Sequence, residues 1–201
     1  MRALLAALSL CGMGIAVPII SDSGPHFGEA SVLLGLELAR TEGATSLVIA
    51  LTNLGGHYVM IPVCVVLVAF FTWRDRREGA FLAIAWASSA LVNELFKVLV
   101  SRPRPSIVDA LTSPRGLSFP SGHSQASMAL VLGLILVLYR SDVPLRRTLW
   151  LLLFPFAIGI TRAYLGVHYP TDILAGWCLG AALVLVTHRL FPPQVSAEST
   201  I

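Results

Sequence analysis

The chain has 201 residues, 56% of them hydrophobic and only 12% charged, with a formal charge of +3. Its mean hydropathy is +0.79. A water-soluble domain of this size would not carry that composition, and scattered basic residues without interleaved aromatics exclude a nucleic-acid surface.

Crossing about 30 Å of hydrocarbon takes about 20 helical residues. Six segments approach that length: 3–20, 47–73, 79–100, 122–139, 148–167 and 171–189. Their continuous apolar runs lack the alternation of barrel strands, so the expected fold is all-α, a polytopic bundle of six transmembrane helices. We read it as a single membrane-embedded domain over 1–201, its motif-bearing core at 97–172. The segment 3–20 follows Met1 and Arg2 and reads as a retained first span, because no small-x-small cleavage site precedes Ser21.

The stretch 28–40, GEASVLLGLELAR, is too short and too charged to span, and is expected to lie as an amphipathic helix on the outer surface. His57 beside Gly55 and Gly56 reads as a packed or interfacial histidine, and His26 and His188 as solvated ones. Pro62 and Pro155 are expected to kink their helices. Gly176 and Gly180 in GWCLG have GxxxG spacing and predict a close helix crossing. Cys11, Cys64 and Cys178 sit in apolar runs without metal or redox spacing and read as small fillers.

Arg74, Arg76 and Arg77 follow the second span, and Arg140, Arg146 and Arg147 follow the fourth. By the positive-inside rule these loops face the cytoplasm, as do both termini, and the loops at 21–46, 101–121 and 168–170 face outward.

Seven ionisable residues then fall at the outer ends of different helices: Lys97, Arg102, Arg104, His123, Arg162, His168 and Asp172. Taken singly each has an ordinary role: a snorkelling lysine, an interfacial arginine, a helix-end histidine. Glu94 is placed to pair with Lys97 at i, i+3. Gathered in one water-facing pocket, the cations suit a tetrahedral oxyanion, since guanidinium forks match phosphate oxygens and an ammonium adds a compact charge. Ser121 and Gly122 open the fourth span, where backbone amides point at an anion and glycine permits its close approach. Ser121 is also a natural N-cap.

His168 and Asp172 are four residues apart with Pro170 between them, suited to a first helical turn. In that register the carboxylate accepts from one imidazole nitrogen and leaves the other basic, a nucleophile toward phosphorus. His123, on another helix, is placed to donate a proton to a leaving oxygen. Two histidines and an aspartate also form a metal triad, but neighbouring cations repel a divalent ion and welcome an anion.

KVLVSRPRP, PSGH and TRAYLGVHYPTD, in that order, are similar to the three motifs of the type 2 phosphatidic acid phosphatase family. The resemblance implies a lipid phosphatase without a metal or other cofactor. It implies that Lys97, Arg104 and Arg162 bind the phosphoryl group with Ser121 and Gly122 assisting, that His123 is the general acid, His168 the nucleophile and Asp172 its orienting partner. Thr161 stands where the family usually has serine, and Arg102, outside the motif positions, is treated as an auxiliary cation.

The partners implied are the lipid bilayer and a phospholipid or polyprenyl phosphate. Undecaprenyl diphosphate and phosphatidylglycerophosphate lead phosphatidate and lipid A phosphates as candidates. Rival readings are a phosphotransferase with a non-water acceptor, a vanadate-holding haloperoxidase, and a non-catalytic anionic-lipid transporter.

Overall fold

A computed structural model of the chain describes residues 24–192. Its helices are α1 (Glu29–Leu38), α2 (Glu42–Leu54), α3 (His57–Arg74), α4 (Arg76–Val100), α5 (Gly122–Arg140), α6 (Leu153–Tyr164) and α7 (Pro170–Leu190). Two short 3-10 turns, Leu145–Arg147 and Leu149–Leu152, lead into α6. No strand occurs among the described residues.

Four helical stretches are long and apolar enough to cross a membrane: Glu42–Arg74, Arg76–Val100, Gly122–Arg140 and Pro170–Leu190. A shorter apolar stretch covers Leu149–Tyr164. The protein is a multi-pass, all-helical membrane protein, and the six-span plan fits it; the expected first span, 3–20, lies outside the described residues. The second expected span is divided, because α2 and α3 are separate helices joined at Gly55 and Gly56.

Every backbone donor inside hydrocarbon needs a partner from its own helix, so helix ends are where irregular structure collects. Thr41 caps α2 by accepting from the Ala44 amide, and Asp75 caps α4 by accepting from the Arg77 amide. Pro62 lies inside α3 without ending it, and Pro155 sits in the first turn of α6, where its missing N–H costs least.

The GxxxG reading holds. A side-chain carbon on Gly176 would fall 2.7 Å from the Ser121 carbonyl oxygen, and one on Gly180 would fall 2.6 Å from that of Gln125. Glycine therefore lets α5 and α7 touch backbone to backbone. Between α4 and α5 the contact is polar: Asn93 donates to Gln125 Oε1 at 2.8 Å, and Gln125 donates to the Ser89 carbonyl at 2.7 Å. All three residues are buried.

Two expectations are refined here. α1 forms as expected with Val32, Leu34 and Leu38 exposed, but is not only a surface helix, for it buries Glu29 and Leu33. His188 is not simply solvated either, because its Nδ1 faces an Arg140 N–H that also serves the Phe191 carbonyl. Arg140 further pairs with Glu78 at 3.0 Å and lies over the Phe81 ring, tying α4, α5 and α7 at the end remote from His123.

Candidate active site

The close crossing of α5 and α7 sets the start of one helix against the start of the other. The Ser121 amide donates to the Asp172 carbonyl at 3.0 Å, so His123 and the His168–Asp172 turn share one end of the bundle. His123 feels the charges of Arg162, His168, His57 and Arg104. His57 is thus brought to the same end of the bundle as His123, Arg104, Arg162 and His168, beyond the packing role its sequence suggested.

His168 is almost completely buried, on the loop before α7. Its Nδ1 lies 3.5 Å from Asp172 Oδ2 and the same distance from Ser118 Oγ. Its Nε2 lies 3.1 Å from Arg104 Nη1. An arginine nitrogen can only donate, so Nε2 must hold a lone pair and Nδ1 the proton. Burial pushes this imidazole down to about 4 against the pull of Asp172, and Arg104 and Arg162 add to the push. A neutral imidazole with its lone pair turned toward a guanidinium is what a nucleophile beside an anion site requires.

Asp172 is held from every side. Its Oδ1 accepts from Arg102 at 2.8 Å, and its Oδ2 accepts from the Tyr169 amide at 2.9 Å and from the Ser118 hydroxyl. Arg104 is braced by the carbonyls of Gly116, Arg115 and Val167 at 2.8–3.1 Å, which fixes the plane of its fork.

Arg162 is buried on α6, donates to Thr52 Oγ1 at 2.7 Å and leaves its Nε without a hydrogen-bond partner. A buried guanidinium with an orphan donor is costly, and an anion in the pocket would relieve it. Lys97 pairs with Glu94 at 2.9 Å as expected, and its ammonium stands over the start of α5, 4.0 Å from where a Gly122 side chain would begin. Ser121 makes no cap bond; it is fully buried and its hydroxyl accepts from Ser124 at 3.0 Å. That leaves its own hydroxyl proton to donate.

Arg102 is corrected. It is fully buried and lies between Glu29 and Asp172, at 2.7 and 2.8 Å, rather than serving the pocket as a spare cation.

A model of the PAP2 superfamily matches residues 78–196. The chain belongs to the PAP2 superfamily. Phosphatidylglycerophosphatase B of Bacillus subtilis (strain 168) is 29% identical over 153 residues, which cover 73% of this chain and 74% of that protein. The undecaprenyl-diphosphatase of Sulfolobus acidocaldarius is 30% identical over 142 residues, covering 67% of this chain and 65% of its own length. The crystal structure of a transmembrane PAP2 type phosphatidylglycerolphosphate phosphatase from Bacillus subtilis superposes with a TM-score of 0.78 at 23% identity. It covers 92% of this chain and 94% of that one, a likeness of fold.

Within this PAP2 chain, Thr161 spends its hydroxyl proton on the Ile158 carbonyl at 2.6 Å, inside α6. Sequence reasoning missed four residues here: Thr52, Gly56, Ser118 and Glu29. A side-chain carbon at Gly56 would lie 3.7 Å from His123 Nε2, so the break between α2 and α3 lies against the candidate site. The buried carboxylate of Glu29 was the one signal available, an acid in an otherwise apolar stretch.

Proposed function

We propose that this PAP2 protein hydrolyses a phosphomonoester or diphosphate of a membrane lipid through a phosphohistidine intermediate, at the outer face of the cytoplasmic membrane. The observation that carries the reading is the two-sided hold on His168: Nδ1 toward Asp172 and Ser118, Nε2 toward Arg104. The nucleophile and one arm of the phosphate grip are already joined.

Substrate oxygens take the place of Nε2 as acceptor for Arg104, and engage Arg162, Lys97 and the amides around Ser121 and Gly122. His168 Nε2 attacks phosphorus, forming the N–P bond as the bond to the leaving oxygen breaks. His123 gives that oxygen its proton. Water then attacks phosphorus, His123 takes a proton from it, and the N–P bond breaks to release phosphate and restore both imidazoles.

The names of the relatives favour phosphatidylglycerophosphate and undecaprenyl diphosphate as substrates. The arginine-rich loops at the opposite end of the bundle support an outward-facing site with cytoplasmic termini.

The test is a phosphate-release assay on purified protein in detergent, with chelator present and each lipid offered side by side. Turnover is expected, with acid-labile label trapped on His168. His168→Ala should abolish both while the protein keeps its melting transition. Normal turnover by that variant overturns the nucleophile assignment.

A further inference from the structure

Behind the His168–Asp172 turn lies a second charge cluster, which meets the candidate site through Asp172. Arg102 is fully buried, and Glu29 is 2% exposed. One terminal nitrogen of Arg102 donates to Asp172 Oδ1 at 2.8 Å and to Thr171 Oγ1 at 2.9 Å; the other donates to Glu29 Oε2 at 2.7 Å and to the Gly24 carbonyl at 2.8 Å. Its guanidinium lies 3.8 Å over the Tyr169 ring. Glu29 Oε1 in turn accepts the Thr171 amide at 3.0 Å and the Thr171 hydroxyl. The residues on both sides of Pro170 are thus held by one acid–guanidinium pair.

We infer that Glu29 and Arg102 are positioning residues for the reaction: Glu29 shares the Arg102 guanidinium, so that Asp172 keeps negative charge to offer His168. The inference rests on the proposed role of His168 as nucleophile.

An isolated Arg102–Asp172 pair would be neutral, and a neutral pair behind an imidazole does little for the cation that forms there when Nε2 bonds to phosphorus. Placing a second carboxylate on the far side of the guanidinium makes the described trio carboxylate–guanidinium–carboxylate, with one net negative charge. In a buried, low-dielectric site that charge reaches His168 by way of Arg102 and Asp172, whose Oδ2 lies 3.5 Å from the ring Nδ1. It favours the charged ring in the transition state more than the neutral ring of the ground state, which is the condition for lowering a barrier.

The packing supports this. Burying a carboxylate is expensive and is found where it is paired or functional. The charged and titratable groups that face His168 are Asp172 from α7, Arg104 from the loop after α4, Arg162 from α6 and His123 from α5. Glu29 reaches it through Arg102 and Asp172.

The experiment uses the full chain in detergent with dioctanoyl phosphatidate as probe, comparing Glu29→Gln, Arg102→Gln and the double variant. E29Q removes one negative charge and should lower kcat about tenfold to a hundredfold, the worth of one charge-assisted contact, with KM within about twofold. Its acid limb in the pH profile should move to lower pH as the imidazole becomes harder to protonate. E29D, which keeps the charge, should recover part of kcat. The double variant restores the trio's net charge and should turn over faster than E29Q alone.

An unchanged kcat in E29Q overturns the inference. So does a double variant no better than E29Q, or a loss of kcat with no movement of the acid limb, since a merely structural role predicts both. Should E29Q not yield folded protein, the double variant carries the test. Its kcat within about tenfold of the parent, with the acid limb in place, supports charge balance; a folded double variant more than about tenfold slower, or one whose acid limb moves, refutes it. Turnover by His168→Ala would instead sink the proposed function, and so separates the two failures.

Discussion

Arg104 Nη1 lies 3.1 Å from His168 Nε2, while Arg104 Nε and Nη2 are spent on the carbonyls of Gly116 and Arg115. The guanidinium is held in place by these bonds, so in the proposed reaction little reorganisation is needed as charge redistributes over the phosphoryl oxygens. Arg104→Lys keeps the charge but loses the fork and its brace. We expect kcat/KM for lipid phosphate release to fall roughly a hundredfold or more. Parent-like kinetics would show that Arg104 does not touch the transferred group.

Thr52 is the hydroxyl partner of buried Arg162, at 2.7 Å. Thr52→Val keeps the shape and removes the bond, leaving a second unsatisfied donor. A contact of that kind to a charged group is worth about 1.5–3 kcal/mol. Vanadate, which adopts the five-coordinate geometry of in-line transfer, should inhibit the parent protein and bind the variant about tenfold or more weakly. Equal inhibition constants would argue that Arg162 is aimed by its packing alone.

Gly56 has φ −76° and ψ 156°, a conformation open to any residue, and its position faces His123 Nε2. Gly56→Ala should fold with a shift of a few tenths of an ångström at the Asn53 carbonyl, 3.2 Å from the new methyl group, and set that methyl 3.7 Å from His123 Nε2, where the proposed mechanism has the leaving oxygen meet its proton donor. The loss in kcat/KM should be about tenfold larger for a lipid phosphate than for p-nitrophenyl phosphate, whose leaving group is flat and needs little help from an acid. Equal losses on the two substrates would place the leaving group elsewhere.

His168 has a folded-state value of about 4, below the ordinary histidine value of about 6.5. Between these values the unfolded chain binds the extra proton, so stability rises with pH across that window. The contribution is complete above about pH 6.5 and is lost as pH falls toward about 4. His168→Asn removes it, so Tm should drop less between pH 7 and 4.5 in the variant than in the parent. Parallel Tm curves would mean that His168 binds its proton equally well in the folded and the unfolded chain.

What the sequence disclosed follows from physical cost. Charges at the ends of apolar segments are expensive, so Lys97, Arg104, His123, Arg162, His168 and Asp172 stood out against a hydrophobic background. Counting spans placed them at one end of the bundle, where the structure brings them together. Ser118 and Thr52 carried no such signal, because hydroxyls are cheap and common at helix ends. Arg102 was visible but misassigned: spacing along a chain gives no sign that Glu29, 73 residues away, will fold over it. The division of one long apolar stretch into α2 and α3 was also hidden, since glycines inside an apolar run do not by themselves say whether a helix breaks or continues.

The amide pair Asn93–Gln125, sealed between α4 and α5 with the Ser89 carbonyl, works as a dowel in an oily joint. Sliding one helix by a turn, about 5.4 Å, would strand those groups where no solvent can rescue them. Lys97 lies one turn beyond Asn93, and His123 half a turn before Gln125. Thinner or thicker bilayers should therefore tilt these two rods as a unit and leave the spacing between that ammonium and that imidazole unchanged.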